Sequence, residues 1–193
     1  REEFPGEVHV FAPAFKEADM EELLQISDHI VFNSERQLRK YGQICREAGI
    51  SVGLRLNPQC STQGDHALYD PCAPGSRFGV TLDKIPSDLL NLVDGLHFHT
   101  LCEQGSDDLE TTLKAVEEQF GPYLHEVKWL NMGGGHHITR EDYDVDLLIS
   151  EIKRIRETYN LEVYIEPGEA IALNAGYLAT EVLDIVENGM EIL

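Results

Sequence analysis

The sequence predicts an α/β fold, an incomplete (β/α)8 barrel of the TIM type in which six βα units are present. Short apolar runs alternate with amphipathic segments along the 193 residues, a pattern typical of parallel strands joined by helices. Polar residues follow several of the apolar runs, and such barrels build their active sites at the C-terminal ends of the strands. A doubly wound open sheet would show the same alternation. No GxGxxG sequence follows the first run, however, which weakens the dinucleotide-binding version of that fold.

Each strand is predicted from an apolar run, and each helix from apolar residues at helical spacing. Ser34 is the expected N-cap of the second helix, and Gly49 is expected to end it. The predicted strands cover residues 8–11, 30–33, 52–56, 95–99, 127–132 and 163–166, and the predicted helices cover residues 17–26, 35–48, 87–92, 107–120 and 143–159.

Two segments depart from the alternation. Residues 57–84 form a long stretch rich in Pro, Gly, Cys and Asp, and a loop of this length in a compact domain is usually functional or mobile. Residues 170–193 lose the helical spacing and contain an Asn-Gly pair, which favours a β-hairpin. The chain begins at Arg1 without a methionine and ends inside an apolar stretch. We therefore expect a piece of a longer protein, with the two missing barrel units upstream.

Composition limits the partners and the compartment. The formal net charge is −20, which argues against nucleic acid or an anionic membrane as a partner and would suit a polycationic substrate. No apolar run is long enough to span a bilayer, and no signal peptide is evident. The four cysteines form no CxxC pair, so free thiols in a reducing cytoplasm are expected.

The stretch LNMGGGHH, residues 130–137, is the most distinctive in the chain. Three adjacent glycines at the end of an apolar run leave the backbone bare, so their N–H groups can form a concavity for an anion such as a phosphate. A flexible strand-to-helix turn is the simpler alternative for the same residues.

Four further side chains at predicted strand ends could take part in chemistry. Glu166 could be a general base, a metal ligand, the partner of a protonated ring nitrogen or only a turn cap. His97 and His99 share one strand face, and His99 could be a ligand, an acid/base group, a stacking surface or a buried structural histidine. Arg55 in an apolar strand needs an anionic partner, which could be Glu166 itself in a barrel-interior ion pair.

Three segments together resemble the fold-type III pyridoxal-phosphate (PLP) decarboxylases, the alanine-racemase-like barrels that include ornithine and diaminopimelate decarboxylases. The segments are HFHTLCEQ at residues 97–104, NMGGGHHITR at residues 131–140 and YIEPGEA at residues 164–170. The spellings HTLCEQ, GGGHH and DPCAPGSRFGV are most similar to the carboxynorspermidine/carboxyspermidine decarboxylases within this family. The resemblance covers essentially the whole chain.

The resemblance implies a PLP-dependent carboxy-lyase of polyamine biosynthesis. Glu166 and His99 are the implied catalytic residues: Glu166 would keep the pyridine nitrogen protonated, and His99 would stack on the ring. The remaining implied cofactor-binding residues are Gly133, Gly134, Gly135 and Gly168 at the phosphate and Arg55 near the ring.

The resemblance also implies a small-molecule carboxypolyamine substrate, a homodimer, a cytoplasmic location and a C-terminal β-domain. Residues 1–169 would then be the central and C-terminal part of the PLP-binding barrel, and residues 170–193 the passage into the β-domain, whose remainder is absent. Glu169 stands where relatives such as ornithine decarboxylase carry an arginine at the phosphate. A carboxylate there, together with Glu166, would suit a substrate with extra amines, so both are candidate substrate-binding residues.

The Schiff-base lysine of the family lies upstream of this chain, on the first barrel strand. The six lysines present fall in helices, in loops or on the early part of a strand, so we expect the chain alone to be inactive. Three other hypotheses remain: another fold-type III amino-acid decarboxylase, a barrel that binds PLP without catalysis, and a metal-dependent hydrolase. The last would use the His97–His99 pair with His136, His137, Cys102 and Glu166, although no metal site is predicted.

Overall fold

A curled sheet of six parallel strands forms the centre of the molecule in the computed structural model, which describes residues 5–64 and 69–192. The strands lie in chain order, each paired with the next, as expected for successive βα units of a barrel. The predicted half-barrel is therefore confirmed. Its strands are β1 (His9–Ala12), β2 (His29–Phe32), β3 (Ser51–Arg55), β4 (Gly95–His97), β5 (Trp129–Asn131) and β6 (Glu162–Tyr164).

Helices connect most of these strands, and polar caps define where two of them begin. Ser34 Oγ accepts a hydrogen bond from the Gln37 N–H at 3.4 Å, as predicted, and Asp144 Oδ1 accepts one from the Leu147 N–H at 2.8 Å. The helices are α1 (Glu17–Ile26), α2 (Glu35–Glu47), α3 (Ser106–Leu124), α4 (Val145–Tyr159) and α5 (Gly168–Ala172), with short 3-10 turns at Leu82–Lys84 and Leu89–Asn91.

The two faces of the sheet differ because strand residues alternate in direction. The convex face carries residues that are fully buried under the helices, among them Ile30, Val52, Leu96 and Leu130. The concave face carries polar and aromatic side chains instead. This alternation places the chemically useful residues of β3, β4 and β5 inside the half-barrel.

Trp129 is the first residue of β5 and lies on the concave face, towards the N-terminal ends of the strands. A Cβ at Gly53 would lie 2.3 Å from the Trp129 ring, and one at Gly95 would lie 1.9 Å from it, so only glycine fits at either position. The indole N–H of Trp129 donates to Ser51 Oγ at 2.8 Å. One large aromatic ring therefore fills the space that two glycines leave on neighbouring strands.

The element bounds differ from the sequence-based prediction at several ends. The helix predicted to end at residue 120 continues to Leu124 in α3, although Pro122 lies within its last turn. Pro122 has no N–H to donate, so the last turn of α3 lacks one backbone hydrogen bond. Strands β1, β2 and β3 have the predicted lengths but are shifted by one residue, whereas β4, β5 and β6 are one to three residues shorter than predicted. The helix predicted at residues 87–92 is a single 3-10 turn.

The C-terminal segment contains a hairpin, as predicted, but also an element that was missed. β7 (Val186–Glu187) and β8 (Glu191–Ile192) pair antiparallel around Asn188 and Gly189, and Gly189 takes a φ of +72°. Helix α5 was not predicted, and residues 182–185 lie outside any strand. Among the described residues, no helix combines the length and apolarity that crossing a membrane requires.

Candidate cofactor site

Polar side chains meet at the C-terminal rim of the half-barrel. Arg55, His97 and Asn131 are the last residues of β3, β4 and β5, and the strand register pairs Arg55 with His97 and His97 with Asn131. Glu166 follows two residues after β6. Because parallel strands end on the same rim, residues distant in the chain become neighbours, and the predicted gathering of strand-end side chains is observed.

The Glu166 carboxylate is the centre of this group. Its Oε1 accepts a hydrogen bond from Asn131 Nδ2 at 2.8 Å and lies 3.6 Å from His97 Nε2, while its Oε2 lies 4.0 Å from His99 Nδ1. Burial raises the pKa of Glu166, but the interaction with His97 and the hydrogen bond from Asn131 outweigh it and lower the pKa to about 2. The Glu166 side chain is 39% exposed, so its ionised carboxylate is accessible to a bound molecule.

The two histidines differ in exposure. His97 is fully buried, burial lowers its pKa, and neither ring nitrogen has a hydrogen-bond partner among the described residues. His99 keeps 37% of its side chain exposed, and its Nδ1 accepts a long hydrogen bond of 3.4 Å from the Gly134 N–H. Burial, together with the charge of Arg55, lowers the pKa of His99 to about 4. His99 is therefore a neutral, partly exposed ring at neutral pH.

Arg55 lies beneath His99 rather than in an ion pair. Its Nη2 donates to the carbonyl oxygen of His99 at 2.9 Å, and its guanidinium carbon lies 4.9 Å from the Phe11 ring centroid and 4.7 Å from that of Phe78. Burial lowers the pKa of Arg55 to about 10. The ion pair with Glu166 considered from the sequence is not formed, and cation–π contacts take its place.

The glycine triplet passes through a gap that leaves no room for side chains. A Cβ at Gly133 would lie 2.4 Å from the Phe98 carbonyl oxygen, one at Gly134 would lie 2.6 Å from the Glu166 carbonyl oxygen, and one at Gly135 would lie 2.1 Å from the Leu101 carbonyl oxygen. Gly133 and Gly135 also have positive φ values, +69° and +81°. The loop is thus closely packed between the segments that follow β4 and β6.

Gly168 and Glu169 lie in the first turn of α5. The Gly168 N–H donates to the Glu166 carbonyl at 2.8 Å, and no atom of the described residues lies within 4 Å of a Cβ built at Gly168. Glu169 Oε2 lies 3.0 Å from His137 Nε2, and Oε1 accepts from the Thr139 hydroxyl at 3.0 Å. The Glu169 carboxylate therefore contacts the segment that follows the glycines, and none of these contacts joins it to the Glu166 group.

No lysine of the described chain has a hydrogen bond or ion pair with Arg55, His97, His99, Asn131 or Glu166. Lys128 precedes β5 and pairs with Asp94 at 2.7 Å, at the opposite end of the strands. The other lysines lie on or beside helices and turns, namely Lys16, Lys40, Lys84, Lys114 and Lys153.

The residues present fit PLP in their chemistry. Glu166 would supply an anion for a protonated ring nitrogen, and His99 would supply an exposed neutral ring. The bare backbone of Gly133–Gly135 would supply N–H groups for a phosphate, although the Gly133 N–H already donates to Asn131 Oδ1 at 2.8 Å and the Gly134 N–H to His99 Nδ1 at 3.4 Å. Atoms of His97, His99 and Glu166 also lie within 4.8 Å of one another and could hold a metal ion. Cys102, His136 and His137 do not belong to that group.

Asn131 lies near the end of a predicted strand, but the sequence does not indicate a role for it. Its side chain is buried and bonds to both Glu166 and Gly133. The available signal was its position directly before the glycine loop, at the end of a strand, as Arg55 and His97 end the two preceding strands. That signal is weak, because asparagine often ends strands for local reasons.

Comparisons with known proteins agree on one family. The sequence profile of the family described as "Pyridoxal-dependent decarboxylase, pyridoxal binding domain" matches residues 3–173. A carboxynorspermidine/carboxyspermidine decarboxylase of Campylobacter jejuni is 42% identical over 192 residues, which are 100% of this chain and 50% of that protein. A carboxyaminopropylagmatine decarboxylase of Synechocystis is 39% identical over 188 residues, 96% of this chain and 48% of that protein.

Solved structures give the same result. The crystal structure of carboxynorspermidine decarboxylase from Campylobacter jejuni, complexed with norspermidine, matches with a TM-score of 0.81 and 41% identity, covering 98% of this chain and 48% of that one. A diaminopimelate decarboxylase structure matches with a TM-score of 0.70 at 20% identity, which supports the fold alone. The chain spans about half the length of these relatives. By profile, sequence and structure, the chain belongs to the family of pyridoxal-binding domains of the pyridoxal-dependent decarboxylases.

Proposed function

We propose that the full-length protein decarboxylates carboxynorspermidine or carboxyspermidine, forming norspermidine or spermidine in polyamine biosynthesis, with PLP as its cofactor. The observation that carries this proposal is the Glu166 carboxylate, held as an anion among His97, His99 and Asn131 beside a glycine loop. The 42% identity to the Campylobacter jejuni decarboxylase over the whole chain supports the substrate class. The formal charge of −20 is compatible with a cationic substrate.

Each rim residue has a proposed role that its surroundings support. Glu166 would hold the proton on the pyridine nitrogen, because its own pKa of about 2 disfavours taking that proton. When bound, PLP would supply an electron sink for the charge left as CO2 departs. His99 would offer its exposed ring for stacking on the cofactor, and Arg55 would fix His99 through the hydrogen bond to its carbonyl oxygen.

The proposed phosphate site is the glycine loop Gly133–Gly135, closed on the other side by Gly168. The N–H groups of Gly134 and Gly135 are the proposed phosphate donors within the loop, since the Gly133 N–H bonds to Asn131 at 2.8 Å and the Gly134 N–H makes only a long hydrogen bond of 3.4 Å to His99 Nδ1. Glu169 is proposed to bind an ammonium group of the substrate. That role requires its carboxylate to bind the substrate in addition to His137 or in place of it, since His137 now lies 3.0 Å away.

The proposal extends to the parts of the protein beyond this chain. Residues 1–169 form the central and C-terminal part of the barrel, and residues 170–193 lead into a β-domain. Two observations support this boundary: the sheet of parallel strands ends with β6, and the later strands β7 and β8 form a separate antiparallel pair. The exposed apolar side chains of Tyr177, Leu178 and Leu183 suit burial against further protein.

We also propose a homodimer in the cytoplasm, with the Schiff-base lysine outside this chain, so that the isolated chain is inactive. The four unpaired cysteines are compatible with a reducing compartment. Size-exclusion chromatography with light scattering on the full-length protein tests the dimer. A monomer at micromolar concentration would contradict it.

The decisive experiment on function is a substrate comparison. Full-length protein loaded with PLP is supplied in parallel with carboxynorspermidine, carboxyspermidine, carboxyaminopropylagmatine, ornithine and diaminopimelate, and CO2 release is measured. We expect the first two to react fastest. Faster release from ornithine or diaminopimelate would replace the proposal with another decarboxylase of this fold, and the absence of CO2 release from all five would favour a non-catalytic PLP-binding protein.

A further inference from the structure

Asn131 uses both ends of its side-chain amide. Nδ2 donates to Glu166 Oε1 at 2.8 Å, and Oδ1 accepts from the Gly133 N–H at 2.8 Å. The residue is only 2% exposed, so neither end can exchange its partner for water at little cost. One buried side chain therefore joins the carboxylate and the glycine loop.

Backbone contacts hold the same two groups together. The Glu166 N–H donates to the Gly133 carbonyl at 2.8 Å, and the Gly134 backbone lies against the Glu166 carbonyl oxygen. These contacts fix the main chain of Glu166 but leave its side-chain torsions free. The 2.8 Å hydrogen bond from Asn131 is the shortest contact of the carboxylate itself, since His97 Nε2 lies 3.6 Å and His99 Nδ1 4.0 Å from its oxygens.

We propose that Asn131 is a positioning residue that fixes the Glu166 carboxylate relative to the glycine loop, so that the ring nitrogen and the phosphate of PLP meet their partners at one set distance. The inference rests on the proposed function, because it takes Glu166 and the loop as the two binding points for the cofactor. It adds a residue whose side-chain amide is already occupied at both ends by Glu166 and Gly133.

The variant Asn131→Asp removes the hydrogen bond that Asn131 donates to Glu166 and keeps the one that it accepts from Gly133. An aspartate keeps an oxygen for the Gly133 N–H, but it turns a second carboxylate towards Glu166 in place of the amide donor. Two carboxylates at hydrogen-bond distance repel each other or share one proton, so the Glu166 carboxylate is displaced or shares its charge with the aspartate. We expect PLP to bind about ten- to hundredfold more weakly, the range for a lost hydrogen bond to a charged group.

A matched control exists at the end of β2. Asn33 is also buried, its Nδ2 donates to the Arg77 carbonyl at 2.9 Å, and its Oδ1 accepts from the Gly79 N–H at 2.8 Å. Asn33→Asp therefore makes the same chemical change in a similar setting, away from Glu166. We expect it to lower the melting temperature while changing PLP affinity less than twofold.

The double variant Asn131→Asp with Glu166→Gln tests the link without relying on catalysis. In the double variant the amide and the carboxylate have exchanged positions. The glutamine amide at position 166 can then donate a hydrogen bond to the aspartate carboxylate at position 131. We therefore expect the double variant to regain most of the melting temperature that Asn131→Asp loses. PLP affinity should remain low, because no carboxylate then faces the ring nitrogen.

The measurements are fluorescence titration of PLP onto cofactor-free full-length protein and thermal unfolding of the same samples. Equal PLP affinities for Asn131→Asp and Asn33→Asp would overturn the inference, as would a double variant no more stable than Asn131→Asp. If the unaltered protein bound no PLP, the proposed function would fail. The melting temperatures would still decide whether Asn131 holds Glu166.

Discussion

Replacing Gly134 with alanine tests whether the glycine loop must lie against Glu166. The new Cβ would lie 2.6 Å from the Glu166 carbonyl oxygen, well inside the 3.4 Å lower edge of ordinary van der Waals contact. That oxygen belongs to the backbone and cannot rotate away. Relief requires the loop to move, which strains the 2.8 Å hydrogen bond from the Glu166 N–H to the Gly133 carbonyl.

The magnitude follows from these two effects. Overpacking of this kind costs about 1–3 kcal/mol, and a weakened backbone hydrogen bond adds about 1 kcal/mol. No backbone penalty is added, because Gly134 does not have a positive φ, unlike Gly133 and Gly135. We expect the melting temperature of the full-length protein to fall by several degrees and PLP affinity to fall about tenfold or more.

Gly121→Ala is the matched control. A Cβ at Gly121 would lie 3.8 Å from the Tyr159 hydroxyl oxygen, an ordinary van der Waals contact, and Gly121 does not have a positive φ. We expect no loss of unfolding free energy beyond about 0.5 kcal/mol and unchanged PLP affinity. Thermal unfolding and fluorescence titration with PLP provide both quantities. If Gly134→Ala behaved like this control, the tight contact between the loop and Glu166 would be wrong.

Further predictions concern the carboxylate, the stacking ring and the interior of the barrel. Glu166→Gln should lower turnover by about two to three orders of magnitude while the protein stays folded, since it removes the charge that holds the ring proton; undiminished turnover would reject that role. The lowered pKa of Glu166 stabilises the folded state above pH 4.5, and this contribution is lost as the pH falls towards 2, so urea unfolding between about pH 5 and pH 3 should show a smaller loss of stability for Glu166→Gln than for the unaltered protein. His99→Ala should weaken PLP binding in a fluorescence titration, and equal affinity would argue against stacking. Gly95→Ala should destabilise the protein by about 1–3 kcal/mol because its Cβ would lie 1.9 Å from Trp129, and adding Trp129→Leu should restore part of that stability in thermal unfolding.

The fold was largely predictable from local patterns. Helix α1 has the predicted bounds, and Ser34 caps α2 as expected, because apolar spacing and capping are properties of short segments. The errors are at places where tertiary contacts decide. Strand lengths depend on how many residues find partners, and the end of α3 depends on how its last turn packs, with Phe120 and Leu124 both buried.

The sequence predicts which side chains of the site lie at strand ends, but it does not predict the hydrogen bonds and ring contacts that they make. Alternation placed His97 and His99 on one face, and the barrel hypothesis brought them to Glu166. The partner of Arg55 could not be read from the sequence, because Phe11 and Phe78 reach it from distant segments. The same holds for the steric need for the glycines, which depends on carbonyl groups that only the folded chain brings close.

A crystal structure of the full-length protein with PLP, recorded with anomalous data at the zinc edge, tests the central claim most directly. We predict the pyridine nitrogen within hydrogen-bond distance of the Glu166 carboxylate, the ring stacked on His99 and the phosphate at the backbone of Gly134 and Gly135. A metal ion bound by His97, His99 and Glu166, or a cofactor bound away from this rim, would contradict the account.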